Sequence, residues 1–295
     1  MSYLAEEIAS QPGCWVEAAA LAGRYREAFP APGERVAVVG CGTSYNIALA
    51  YARLREEAGH GLTDAMAASE MLEHRDYDRY IFISRSGTTT EVLEALRRVP
   101  RAVPTTAIVA DETSPIAATA GSRAVLTFAN ERSVVQTRFA TSSLVLLWAH
   151  LGGDIRHVVE DGRRALAAPL PPGALDAERY VFLGRSWAIG LAYEAALKLK
   201  EAALVTTEAH PAMEFRHGPI SVLDTRSLVW SLSAPPAGLA GQVSATGAMF
   251  VEAELSPLAE LVKVQRVAVE IATARGLDPD HPRHLSFSVV LEANP

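Results

Sequence analysis

The chain has 295 residues, 49% of them apolar, and 34 acidic against 27 basic side chains give it a formal net charge of −7. That length suffices for two modest domains, each with its own core, and the acidic balance argues against the broad basic surface that nucleic acid or an anionic membrane would require. Cys14 and Cys41 are its two cysteines, with no CxxC and no Cys/His cluster at zinc spacing, so neither a disulfide framework nor a bound metal is expected.

Glu6 and Glu7 stand where a signal peptide would need an apolar core, and the apolar run Leu144 to Ala149 is too short to cross a bilayer, so the expectation is a cytoplasmic chain with no membrane partner. Apolar periodicity predicts a short helix from Tyr3 to Ala9, stopped before Pro12, and a longer one from Cys14 to Phe29, ended by Pro30 and Pro32. Short buried strands follow at Val36 to Val39, Tyr80 to Ser84, Thr106 to Val109 and Ala124 to Thr127, with helical stretches near 44–57, 66–73, 90–99 and 114–121. Such alternation builds a parallel, doubly wound sheet.

Gln136 to Leu151 reads as a long apolar helix, and Leu166 to Leu175, rich in Ala, Pro and Leu, as a linker. The pattern then restarts: Tyr180 to Ser186 echoes Val36 to Ser44, an apolar strand running into glycine and a polar turn, followed by a helix from Trp187 to Ala203. A strand at Ser227 to Leu232 leads into the loop Ala234 to Gly238, a helix spans Leu258 to Arg275, and an alternating tail covers Leu285 to Glu292. The predicted fold class is α/β, with two related halves at 1–165 and 166–295, each a parallel sheet flanked by helices.

The most informative stretch is Ser84-Arg85-Ser86-Gly87-Thr88-Thr89-Thr90-Glu91, which places five hydroxyls and a glycine where a strand turns into a helix. One hydroxyl would serve as an N-cap. Five point to an anion, because a helix N-terminus offers unpaired N–H groups and a partial positive charge, and glycine lets the backbone approach a ligand. A second small-residue turn, Gly40-Cys41-Gly42-Thr43-Ser44, follows the first strand, so that two turns of one layer converge on one phosphate. No Walker-type lysine accompanies them, and in an acidic chain the anion must be held by these local donors. Cys41 reads as a packing and capping residue, although a helix N-terminus can lower a thiol pKa. Glu194, Lys198 and Glu201 follow helical spacing, which by itself describes a surface ion-pair ladder.

These features resemble the sugar isomerase (SIS) family of phosphosugar-binding proteins, and within it the isomerase part of glutamine:fructose-6-phosphate amidotransferases. The resemblance covers nearly the whole chain. It is carried by Glu7-Ile8 with Gln11-Pro12, Gly40 to Ser44, the Ser84-x-Ser86-Gly87-x-Thr89 turn, Ala195 to Glu201 (Ala-Ala-Leu-Lys-Leu-Lys-Glu), Glu208-Ala209, and Glu214 to Pro219 (Glu-Phe-Arg-His-Gly-Pro). It implies that Ser44, Ser84, Arg85, Ser86 and Thr89 hold a sugar phosphate, with Arg85 where the family often has Gln, and that Thr43, Val134 and Gln136 line the sugar. It further implies that Glu201, Lys198 and His217 are catalytic: Glu201 moves a proton between C1 and C2 through an enediol, Lys198 serves beside it on the same helix, and His217 assists ring opening from a neighbouring subunit in a homodimer with a shared active site. No cofactor is implied.

The segment Asp280-His281-Pro282-Arg283-His284-Leu285-Ser286-Phe287-Ser288-Val289 departs from the family synthase's Asp-x-Pro-Arg-Asn-Leu-Ala-Lys-Ser-Val by putting Phe287 at the lysine credited with Schiff-base formation. No cysteine nucleophile follows Met1, so a glutaminase part, and with it synthase activity, is not expected. The expected ligand is a hexose- or hexosamine-6-phosphate. The expected chemistry is aldose–ketose isomerisation or amino-sugar-phosphate deamination coupled to it, with a related lyase in the same class. The alternative is a non-catalytic sugar-phosphate sensor, which the missing lysine favours and the presence of Glu201 and His217 opposes.

Overall fold

The computed structural model describes residues 2–72 and 74–291. Among these are nine α-helices and nine β-strands, and contacts group them into two units: residues up to Pro12 with Arg156–Arg283, and Gly13–Ile155 with the segment from His284 onward. A single division at 165/166 is thus replaced by two exchanges of chain, at the first dozen residues and at the last.

The unit built on Gly13–Ile155 contains β1 (Val36–Gly40), α2 (Thr43–Glu57), β2 (Thr63–Ala67), β3 (Arg79–Ile83), α3 (Thr90–Arg98), β4 (Thr105–Val109), α4 (Pro115–Thr119), β5 (Ser122–Val125) and α5 (Arg138–His150), preceded by α1 (Tyr3–Ala20), which begins in the other unit. Its sheet has the order β2-β1-β3-β4-β5, with every pairing parallel. β1 is buried at all five positions, the continuous apolar run expected of a parallel strand covered on both faces. Ala37, Val39, Phe82, Ala107, Val109 and Ile116 belong to one core on a face of this sheet.

The other unit contains α6 (Arg156–Ala167), β6 (Arg179–Gly184), α7 (Ala188–Ala203), β7 (Thr206–Pro211), β8 (Ser227–Ser231), α8 (Leu239–Ser244), β9 (Met249–Val251) and α9 (Pro257–Ala274). Its parallel sheet has the order β7-β6-β8-β9, which repeats the first four positions of the larger sheet. Both units are therefore α/β layers with a parallel sheet flanked by helices, as the sequence predicts. The echo extends to atomic detail: a Cβ on Gly40 would lie 2.7 Å from Ser44 Cβ, and one on Gly184 would lie 2.3 Å from the Ala188 carbonyl oxygen, so each turn brings its helix against its strand. In sheets of this order, ligands bind outside the carboxyl ends of the strands where the winding direction reverses, here between β1 and β3.

Several expectations are corrected. The two N-terminal helices are a single helix, α1, with Pro12 inside it, and it ends at Ala20, short of the expected Phe29, with a 3-10 turn at Arg26–Ala28. Proline cannot donate to the Ile8 carbonyl, and the Gln11 side-chain amide donates to that oxygen instead, at 3.2 Å. The stretch 66–73 is not a helix, because β2 takes residues to Ala67 by pairing with β1 and a 3-10 turn covers Ala68–Glu70. α5 starts at Arg138, β5 ends at Val125 ahead of a 3-10 turn at Thr127–Ala129, and α6 runs into the expected linker as far as Ala167. Residues 285–291 of the tail form no strand, and Glu292 lies outside the described residues. Among the described residues no helix is long and apolar enough to cross a membrane.

Candidate functional site

The strand-to-helix turn after β3 is organised by its own hydroxyls. Ser84 is buried, and its Oγ accepts from the Gly87 amide at 3.2 Å; Ser86 Oγ accepts from the Thr88 amide at 3.2 Å and from Thr88 Oγ1 at 3.0 Å. Gly87 has φ +64°, and a Cβ there would fall 2.0 Å from Ser114 Oγ, so this close turn admits no side chain. The turn delivers Thr89 and Thr90 to the start of α3. The parallel turn after β1 buries Thr43 and Ser44 at the first two positions of α2. Burial raises the Cys41 thiol pKa above its ordinary value, so this cysteine is not an activated thiolate.

Arg85 belongs to the hydroxyl turn, but its guanidinium is committed elsewhere. The side chain is 1% exposed, with Nη1 3.6 Å from Glu131 Oε2 and donating to the carbonyls of Ser133 (2.9 Å) and Val134 (3.2 Å). Nη2 donates to the Phe287 carbonyl at 2.7 Å, and the guanidinium lies over the Phe287 ring at 3.7 Å from its centroid. Glu131 in turn accepts from the Thr137 amide (2.5 Å) and hydroxyl (3.0 Å). Arg85 and Glu131 thereby shape the loop that carries Val134 and Gln136, and the buried Gln136 Oε1 has no protein partner. Sequence reasoning missed Glu131, Thr137 and Ser288. The two positions that depart from the family pattern, Arg85 and Phe287, are in contact, and that shared departure was the available clue.

In the other unit, α7 presents Glu194, Lys198 and Glu201 on one face. Lys198 Nζ lies 3.2 Å from Glu194 Oε1 and 2.5 Å from Glu201 Oε2; the lysine side chain is 2% exposed, Glu194 1% and Glu201 20%. The surface-ladder alternative is corrected, since two of the three side chains are out of water. Burial works to lower the Lys198 pKa, but the attraction of Glu194 and Glu201 outweighs it and the pKa is raised, so the amine stays charged. Such a lysine holds one carboxylate still while leaving its other edge open to a ligand.

His217 caps the 3-10 turn Glu214–Arg216, donates its amide to the Glu214 carbonyl at 2.9 Å, and is exposed. Glu208 pairs with His210 at 3.1 Å. Arg216 is anchored to Gln242 Oε1 and the Ala237 carbonyl.

Residues 31–151 match the SIS domain model. A glutamine–fructose-6-phosphate aminotransferase (isomerizing) from Methanothermobacter thermautotrophicus is 30% identical over 88% of this chain and 52% of its own length, so the chain spans about half of that relative. Among solved structures, a glucosamine-6-phosphate deaminase from Thermotoga maritima superposes with a TM-score of 0.83 at 25% identity, covering 98% of this chain and 100% of that one. A tagatose-6-phosphate ketose/aldose isomerase from Escherichia coli, at 18% identity and a TM-score of 0.79 over 96% of this chain and 97% of its own, shares the fold. With its two parallel sheets, its hydroxyl-lined turn after β3 and these relatives, the chain contains a SIS domain at residues 31–151 and has a phosphosugar isomerase-like fold.

Proposed function

We propose that this chain is an enzyme acting on a phosphorylated sugar, a hexose- or hexosamine-6-phosphate, by aldose–ketose isomerisation or by deamination coupled to it. The observation that carries the reading is the Glu201 carboxylate, partly open to solvent while a buried lysine holds its inner oxygen. The hydroxyls and amides of Ser44, Ser84, Ser86 and Thr89 hold the phosphate at helix N-termini. Arg85 acts from beneath them, fixing the Val134–Gln136 loop that meets the sugar hydroxyls. His217 opens the ring, Glu201 removes the C2 proton to give an enediol or enediolamine, and the same carboxylate returns that proton at C1. With Phe287 in place of lysine, no Schiff base forms at that position. Whole-length similarity to a glucosamine-6-phosphate deaminase supports the deaminating version. The exposed His217 suits donation across a homodimer boundary.

The test is incubation with glucosamine-6-phosphate and fructose-6-phosphate in D₂O, following deuterium at C1 and C2 by NMR and ammonia by a coupled assay. Exchange with ammonia release identifies the deaminase, and exchange alone the isomerase. Glu201→Gln should lower turnover by roughly 10²–10⁴. Tight phosphosugar binding with no exchange would instead establish the sensor reading, which Phe287 favours.

A further inference from the structure

The segment that follows Arg283 lies on the hydroxyl turn of its own unit. Ser288 Oγ is 3.0 Å from Ser86 Oγ, 2.9 Å from Thr88 Oγ1 and 3.4 Å from Thr89 Oγ1, so three hydroxyls of the turn converge on one oxygen. The next carbonyl, of Val289, accepts from the Thr90 amide at the first position of α3 at 3.1 Å, and the Leu291 amide donates to Thr90 Oγ1 at 2.9 Å. These two oxygens stand where a helix N-terminus would hold the oxygens of an anion. Phe287, stacked on Arg85 with its carbonyl bonded to the same guanidinium, latches the segment from below.

Among the described residues little else holds it. Leu285, Phe287, Val289, Val290 and Leu291 are 40–65% exposed, so the segment is fastened by polar contacts that a competing anion can replace rather than by a buried apolar face.

We propose that residues 284–291 form an intrasteric plug that competes with phosphate for the hydroxyl turn, so that ligand binding and lifting of the segment are one equilibrium. This inference rests on the reading of that turn as the phosphate site. A phosphate dianion replaces one neutral hydroxyl and one carbonyl with three charged oxygens, and charge-assisted hydrogen bonds are about twice as strong as neutral ones. Phosphate therefore wins when present, but its apparent affinity is reduced by the fraction of molecules that hold the segment closed. The plug keeps the turn's donors satisfied while the site is empty, and sets a threshold concentration below which the chain does not engage phosphorylated ligands.

The experiment is calorimetric titration of the full chain with inorganic phosphate and with fructose-6-phosphate, in wild type, Ser288→Ala and Ser288→Asp, with thermal melts to show that all three fold. Removing the hydroxyl weakens the plug by about one net hydrogen bond, so Ser288→Ala should bind both ligands about three- to tenfold more tightly. A carboxylate makes the stronger charge-assisted contacts, so Ser288→Asp should bind them more weakly by about tenfold. Shifts of opposite sign are not what a merely structural role of Ser288 would give. Saturating phosphate should also speed tryptic cleavage after the exposed Arg283 in wild type. Equal affinities in all three proteins with unchanged cleavage overturn the plug and leave the phosphosugar reading standing. Failure of Ser288→Ala to bind either ligand overturns both.

Discussion

Lys198→Met tests the α7 cluster most directly. The substitution keeps the length and apolar stem of the side chain but removes a cation held 3.2 Å from a carboxylate that is 1% exposed and 2.5 Å from one that is 20% exposed. Breaking a buried pair from one side leaves its partner's charge out of water, an effect of about 3–5 kcal/mol. Against the roughly 5–15 kcal/mol that stabilises a typical domain, that is a fifth or more, and at about 2–4 °C per kcal/mol the melting temperature should fall by about 6–20 °C. The pH dependence gives a sharper signature. In the variant the buried carboxylate beside position 198 has lost that cation, and protonation relieves the cost of its burial, so the deficit in stability should shrink as pH is lowered. In wild type the raised pKa of Lys198 works in the opposite window, its contribution being lost only as pH climbs past the ordinary value of 10.5. Adding Glu194→Gln to the variant should restore most of the loss. Denaturant unfolding followed by circular dichroism between about pH 5 and 8 decides the matter. A loss below about 1 kcal/mol, or a variant without the acid-side gain, would refute the argument that this cluster is buried and charge-coupled.

Three further outcomes are expected. Gly87→Ala places a Cβ 2.0 Å from Ser114 Oγ at a φ of +64°, which should destabilise by about 2 kcal/mol or more and weaken phosphate binding, read by melting and titration. His150, its pKa lowered chiefly by burial, resists protonation in the folded state, so wild-type stability should fall as pH drops below the ordinary imidazole value of 6.5; His150→Gln should lose that part of the slope, and parallel melting-temperature curves would contradict the assignment. Asp280 accepts from the Tyr3 and Leu4 amides at 2.9 and 2.7 Å, capping α1, and Asp280→Ala should lower unfolding stability by about 1–2 kcal/mol; an unchanged denaturation midpoint would count against this cap.

Elements that declare themselves through local chemistry were legible in the sequence. β1, β3 and β4 are apolar runs that end in glycine or polar turns, and the helices after the first two start within two residues of their expected positions. β2 was not legible: Thr-Asp-Ala-Met-Ala has the composition of a helix and becomes a strand because β1 offers it a parallel edge. α1 was cut in two because proline usually ends a helix, and nothing local shows that Gln11 supplies the missing donor. The hydroxyls of the turn after β3 were readable as a group from their density alone. The destination of the Arg85 side chain was not, since its partners lie 46 to 202 residues away, at Glu131 and Phe287. Burial of Glu194 and Lys198 was equally hidden, because helical spacing gives the same pattern on a wet face as on a dry one.

The interleaved chain path imposes an order on synthesis. Tyr3 and Leu4 leave the ribosome well before the carboxylate that caps them, since Asp280 is 277 residues behind the first of them. At about 5–20 residues per second that is a wait of roughly 15 to 55 seconds, during which the start of α1 lacks its cap while nearly all of Gly13–Ile155 can fold around its own sheet. The nascent protein thus completes its five-stranded unit, with the hydroxyl turn open, before the four-stranded unit has its last helix and before residues 284–291 exist to cover the turn. A ligand present at that moment meets the turn uncovered, with no segment to displace.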